Sequence, residues 1–146
     1  MVTQHLIPLF GRDLDKLKEE IKLYSDDEAI WKPREGISNS GGNLCLHLVG
    51  NLQHFIGAVL GNSGYVRNRE AEFKLRNIPR HKLIEEIEST RSIVIDTLEQ
   101  LTRNDLQKEY PQQIGGESMI TEHLLIFLLA HFNYHLGQIN YHRRIG

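Results

Sequence analysis

A chain of 146 residues that is 40% hydrophobic and 25% charged has the size and composition of one globular domain with a hydrophobic core. Its net charge is −2 and its lysines and arginines are not clustered, which argues against a nucleic-acid partner. Its longest apolar run, residues 124–130, is far shorter than the roughly 20 residues of a membrane-spanning helix. We therefore predict a single domain over residues 1–146 with no membrane or nucleic-acid partner.

Two features predict a cytoplasmic protein. The single cysteine cannot form an intrachain disulfide, which is typical of a reducing compartment. The first residues lack the charged and apolar regions of a signal peptide. The unusual feature of the composition is the presence of eight histidines, because histidine is the commonest metal ligand.

Hydrophobic periodicity predicts two helices in the first part of the chain. The first covers residues 5–24, where apolar side chains recur at helical spacing, and a connection follows over 25–37. The second helix begins after residues 38–40, which are good N-cap residues, and runs to about Leu60. We expect its core stripe to consist of Leu44, Leu48, Leu52, Phe55 and Val59.

Two further helices follow. A connection over residues 61–77 precedes the third helix, which begins near Pro79. Its predicted inward positions are Leu83, Ile87, Thr90, Val94, Thr97, Leu98 and Leu101. A connection over 102–117 precedes the fourth helix, which begins near Ser118 and runs past Tyr141. We expect its inner face to carry Ile120, Leu124, Phe127, Leu128, His131, His135, Gln138 and His142.

Four amphipathic helices of about 20 residues predict an all-α fold, a four-helix bundle. The connection over residues 61–77 is long enough to return along a helix of about 30 Å. The second and third helices could therefore be parallel.

The spacing of three histidines predicts a metal site. His131 and His135 are four residues apart, so both rings lie on one face of the fourth helix. Two such imidazoles can bind one transition metal if a third ligand comes from another helix. Helical geometry places His47 on the inward edge of the second helix, and a metal would give all three buried rings a partner.

Other candidate ligands fit less well. Cys45 lies about 200° around the helix from His47, so the two cannot bind one ion, and we expect Cys45 to be a small core residue or a partly exposed thiol. His54 and His142 each lie about 10 Å along their helix axis from a predicted ligand. Either would be a ligand only in a closed, structural metal site.

Two classes of metalloenzyme do not fit the sequence. A zinc peptidase needs a glutamate directly after the first histidine, and here that residue is Phe132. Carboxylate-bridged di-iron bundles need inward glutamates, whereas the glutamates of the third helix lie mostly on its polar face.

Several segments together resemble the DinB-like superfamily of metal-binding bundles, which is related to bacterial thiol S-transferases. One is the connection that contains Trp31 and Pro33. Another is Ser-Asn-Ser-Gly-Gly-Asn-Leu before a helix that carries Leu-His-Leu-Val-Gly-Asn-Leu. The most specific is His-Phe-Asn-Tyr-His-Leu-Gly-Gln-Ile in the last helix, and the resemblance covers nearly the whole chain.

The resemblance implies a fold, a metal and a reaction. The fold is an up-down-down-up four-helix bundle, and the metal is a divalent ion, commonly zinc or nickel, bound by His47, His131 and His135. The reaction is the detoxification type, in which a low-molecular-weight thiol is transferred to an electrophilic small molecule. The resemblance also implies a homodimer.

The chemistry of the residues leaves the reaction open. Three neutral imidazoles leave a bound ion its charge and an open position, where it can deprotonate a thiol or activate water for hydrolysis. In a non-catalytic bundle the metal would only join the second and fourth helices. Asn51, His54, Tyr134 and Gln138 are candidate pocket residues that orient a substrate or bond one helix to another. No carboxylate is clearly placed as a general base.

Overall fold

The computed structural model describes all 146 residues, and its regular elements are all helical. The helices are α1 (Thr3–Leu23), α2 (Asp27–Ile30), α3 (Gly41–Leu52), α4 (Arg69–Lys74), α5 (Arg80–Gln100), α6 (Arg103–Gln107) and α7 (Thr121–Arg144). A π-helical segment, Gln53–Ala58, continues α3. With that segment, α3 forms the second of the long helices, and α1, α5 and α7 are the others.

Helix α3 lies at the centre of the molecule. It begins where the hydroxyl of Ser40 accepts a hydrogen bond from the backbone N–H of Asn43, as the N-cap residues predicted. Every residue of α3 is buried, as expected for a helix with neighbours on all sides. It packs against α4, α5 and α7, while α1 packs mainly against α5 and α7.

Helix α5 confirms its predicted face. All of its predicted inward positions are buried, from Leu83 to Leu101. The buried apolar side chains of the long helices form one continuous core cluster. None of the helices combines the length and the apolar composition that crossing a membrane requires.

Each predicted connection contains a short helix that the periodicity did not predict. The N-cap residues of α2, α4 and α6 are Asp26, Asn68 and Thr102. The side chain of each accepts a hydrogen bond from the backbone N–H group three residues later. Helices of four to six residues are too short to show a hydrophobic period, so capping is their main sequence signal.

The predicted inner face of α7 is wrong in part. Ile120, Phe127 and Gln138 are exposed, whereas Phe132 and Leu136 are buried. Because α7 packs against both α1 and α3, its buried stripe is rotated toward a line between them. His131 and His135 therefore lie at the edge of the core and are half-buried.

His142 joins the end of α7 to the start of α3. Its Nδ1 atom is 2.7 Å from the hydroxyl of Tyr24 and accepts a hydrogen bond from the backbone N–H of Gly41 at 3.2 Å. Its Nε2 atom donates to the carbonyl oxygen of Lys32 at 2.9 Å. With both nitrogens engaged, His142 is a structural residue of the core.

Gly42 provides the sharpest packing prediction. A Cβ atom at this position would lie 2.6 Å from the Trp31 ring, which is buried and rigid. Gly42→Ala should therefore lower the free energy of unfolding by about 1–3 kcal/mol in chemical denaturation.

The matched control is Gly137→Ala, also inside a helix, where a Cβ atom would meet nothing within 4 Å. It should raise the free energy of unfolding by about 0.5–1 kcal/mol, because alanine favours helix more than glycine does. Equal effects at the two positions would contradict this packing.

His142 also predicts a pH dependence of stability. Burial lowers the pKa of His142, and the nearby positive charge of Arg34 lowers it further, although the bond to the Lys32 carbonyl opposes them. The unfolded chain takes up this proton near pH 6.5 but the folded chain only at lower pH. The free energy of unfolding should therefore fall as the pH drops below about 6.5.

The pKa can be measured directly by an NMR titration of the His142 ring. The ring should remain mostly neutral at the pH where an unperturbed histidine is half protonated. Half-protonation at or above that pH would contradict the burial described for the His142 ring.

Candidate metal centre

The three predicted histidines come together where α3 meets α7. His47 is buried, and His131 and His135 are half-buried. One ring nitrogen of each lies within 4.8 Å of those of the other two. The ring centroids are 4.6 to 5.1 Å apart. This cluster, called here the three-histidine site, could hold a metal ion.

The spacing of two nitrogens fits a shared ion. The Nε2 atoms of His47 and His131 are 3.3 Å apart. Two nitrogens that bind one tetrahedral zinc ion at 2.0–2.1 Å are separated by about 3.3 Å. The rings are therefore already at a spacing that a tetrahedral ion requires.

Hydrogen bonds at Nδ1 keep the proton of two rings on Nδ1 and leave Nε2 as the nitrogen with a lone pair. Nδ1 of His47 is 3.1 Å from Oε1 of Glu72, and a carboxylate can only accept, so Nδ1 carries the proton. Nδ1 of His135 is 2.7 Å from Oε1 of Gln138, which accepts in the same way. Each ring then presents an unprotonated Nε2 atom, the form that binds a metal.

Glu72 of α4 is held by Arg67. The Arg67 guanidinium donates to both oxygens of the carboxylate, each at 2.9 Å. Its Nη2 atom also lies 3.3 Å from Nδ1 of His47, but both nitrogens carry protons, so the two groups both donate to Oε1 of Glu72 rather than to each other. Burial raises the pKa of Glu72, but its hydrogen bonds with His47 and Arg67 outweigh burial and lower the pKa below its usual value.

Two residues of α3 position α4 for this contact. The buried side-chain amide of Asn43 donates to the carbonyl oxygens of Glu72 and Leu75, each at 2.9 Å. Gly50 makes room for the carboxylate, because a Cβ atom there would lie 1.9 Å from Oε2 of Glu72. Neither Arg67 nor Glu72 is predicted from the sequence, where Gly50, three residues after His47, is the only local signal of a close neighbour.

The two half-buried histidines stay neutral near pH 7. Burial lowers the pKa of His131 to about 4, helped by the neighbouring rings of His135 and His47 and by two arginines. Burial also lowers the pKa of His135, although its bond to Gln138 opposes the shift. Neutral rings keep the lone pairs that a metal ligand needs.

Two buried polar atoms beside these residues lack a partner. They are Nδ1 of His131 and Oδ1 of Asn51, which lies one turn after His47 on α3. Leaving a buried polar group unpaired costs about 1–3 kcal/mol. Buried polar atoms without a hydrogen-bond partner are uncommon in folded proteins, and both of these belong to residues of the predicted site.

The remaining candidates are not part of the three-histidine site. Cys45 is fully buried, and burial raises the pKa of its thiol, which confirms it as a core residue. Nε2 of His54 is 3.1 Å from Oε1 of Gln112, and the nitrogens of His142 are engaged as described. Neither His54 nor His142 is among the residues whose ligand atoms come together at the three-histidine site. The π-helical winding after Leu52 rotates His54 away from the line predicted for an α-helix.

A cleft of about 620 Å³ opens beside His135, between α7 and residues 36–39. Of the candidate pocket residues, Tyr134 and Gln138 line it, whereas Asn51 and His54 do not. The three-histidine site therefore adjoins a space that can admit a small molecule.

The fold and the site define an all-helical protein with a candidate metal centre of three histidines. Residues 9–145 match the family described as "Protein of unknown function (DUF1572)", and the chain belongs to that family. No curated protein matches the chain.

Glu72 yields a prediction about metal affinity. Glu72→Gln keeps the size of the side chain but removes the charge that orients and polarises His47. Zinc affinity, measured by competition with a chromophoric chelator, should fall about 10- to 100-fold. The control is Glu70→Gln on the same helix, where the exposed side chain pairs only with Lys74. An unchanged affinity in Glu72→Gln would show that His47 does not depend on this carboxylate.

Proposed function

We propose that the protein is a metal-dependent enzyme of the DinB-like superfamily that transfers a low-molecular-weight thiol to electrophilic small molecules. The observation that carries the proposal is the convergence of three imidazoles beside an open cleft. The long segment between α3 and α5, which contains α4, supports the up-down-down-up order that this superfamily implies.

His47, His131 and His135 would hold a divalent ion. Such an ion, when bound, supplies the positive charge that lowers the pKa of a thiol. In the transfer, the sulfur forms a bond to an electrophilic carbon and the thiol proton passes to solvent. The leaving group departs with the electron pair of its bond, or, in an addition, the atom that receives that pair takes up a proton.

The chain supplies the geometry of the site. Glu72 keeps the proton on Nδ1 of His47, and Gln138 does the same for His135, so both Nε2 atoms face inward as ligands. Burial keeps the rings of His131 and His135 neutral and limits the access of water. The cleft gives an electrophile access from the α7 side.

The absence of a free base favours a thiol over water as the nucleophile. No aspartate or glutamate lines the cleft, and the Glu72 carboxylate is already bonded to Arg67 and His47. Metal-dependent peptidases use a glutamate as general base to activate water. A bound cation lowers the pKa of either nucleophile, but a thiol is the more acidic of the two and loses its proton outright without such a base.

The other elements of the proposal follow from the resemblance to the superfamily. They are zinc or nickel as the metal, a homodimer as the assembly and the cytoplasm as the compartment. The buried, unpaired Cys45 is in keeping with a reducing compartment. Light scattering on the purified protein would establish the oligomeric state.

Metal content tests the proposal first. Protein purified without a histidine tag should contain more than about half an equivalent of a divalent metal by elemental analysis. His131→Ala should remove most of it, because a ligand is lost. His123→Ala, an exposed position on the same helix, should retain it. Metal content below this level, or unchanged in His131→Ala, would refute the metal site.

Turnover tests the reaction. Bacillithiol, glutathione and coenzyme A are each offered with the chromogenic electrophile 1-chloro-2,4-dinitrobenzene. We expect turnover with at least one thiol, its loss after chelation and in His131→Ala, and recovery when metal is returned. Hydrolysis of esters or amides without thiol would favour a hydrolase. Metal retention without turnover of any substrate would favour a non-catalytic bundle.

A further inference from the structure

Helix α7 forms one wall of the cleft beside His135, and this wall contains two tyrosines. Tyr134 and Tyr141 are two helical turns apart, about 10 Å along the axis, and are 67% and 61% exposed. Gly137 lies between them, and a Cβ atom built there would meet nothing within 4 Å. The glycine therefore lines the cleft between the two tyrosine positions without adding a side chain to it.

The opposite wall consists of residues 36–39, whose polar side chains are Ser38 and Asn39. Gln138 adds an amide from α7. These hydroxyl and amide groups can both donate and accept hydrogen bonds. None of the residues that line the cleft is Asp, Glu, Lys or Arg, although a quarter of the chain is charged.

The lining selects against ions. In the metal-free cleft a charged group would lose hydration and find no opposite charge among the lining side chains, which is costly. A planar, uncharged group would stack on tyrosine rings and find hydrogen-bond partners in the wall. The volume of about 620 Å³ is in the range of small-molecule sites.

We infer that this cleft binds an uncharged, planar small molecule, an aromatic or conjugated carbonyl compound, in the space above Gly137 with its reacting atom toward His135. The inference rests on the proposed function, for which it assigns the electrophile site. Gly137, Tyr134 and Tyr141 then determine substrate specificity.

Three compounds of equal size test the charge selectivity. Benzamide, benzoate and benzamidine differ mainly in being neutral, anionic and cationic. Each is titrated into isotope-labelled protein as purified and after chelation, since benzoate would also bind a metal. In the chelated protein, benzamide should shift the NMR amide signals of Gly137 and residues 37–39, and the two ions should bind at least about tenfold more weakly.

A variant tests the position of the ligand. Gly137→Leu fills this part of the cleft with a side chain that favours helix, so benzamide should bind at least about tenfold more weakly while metal content and unfolding temperature are retained. Ala130→Leu is the control, because it enlarges an exposed position of the same helix outside the cleft.

Three results would overturn the inference. They are equal or tighter binding of either ion in the chelated protein, benzamide shifts away from the cleft, and unimpaired benzamide binding in Gly137→Leu. Signals of Gly137 and Tyr141 that change on dilution, with no effect of benzamide, would instead show a second copy covering this face. Failure of the proposed function can be distinguished from failure of this inference. A protein without metal or turnover would refute the proposed function but would still bind benzamide in the cleft.

Discussion

The hydrogen bond between the Glu72 carboxylate and Nδ1 of His47 determines the properties of the three-histidine site. It fixes which nitrogen of His47 carries the proton, and so which one faces the other two histidines. It also attaches α4 to the central helix, where Gly50 leaves room for the carboxylate. A buried glutamate–arginine pair contributes little net stability, because desolvation offsets the attraction. The main role of the Glu72–Arg67 pair is therefore to hold the carboxylate where it orients His47.

The position of the site between core and surface gives it an open side. His47 comes from a helix that is buried all round, whereas His131 and His135 lie at the edge of the α7 face. A site wholly in the core would have no access for a substrate, and one wholly on the surface would leave its histidines hydrated and mobile. The boundary position keeps the rings neutral and ordered while the cleft beside His135 remains accessible.

The sequence predicted those parts of the structure that depend on periodicity. The inward positions of α5 and the convergence of His47, His131 and His135 follow from helical spacing, and the structure has both. Residues 124–129 of α7 are all apolar, so hydrophobicity alone could not define its buried face. Arg67 and Glu72 belong to a six-residue helix and its approach, where no period exists, and their pairing with His47 depends on tertiary placement. The π-helical segment after Leu52 likewise breaks the assumption of regular winding on which His54 was placed.

The most direct test of the account is a crystal structure of zinc-loaded protein, with data collected on both sides of the zinc absorption edge. We predict one anomalous peak bound by His47, His131 and His135, with the remaining coordination position filled by solvent or a small molecule. No peak at this place, or a further protein side chain that closes the coordination sphere, would contradict the claim that these histidines form an open metal site.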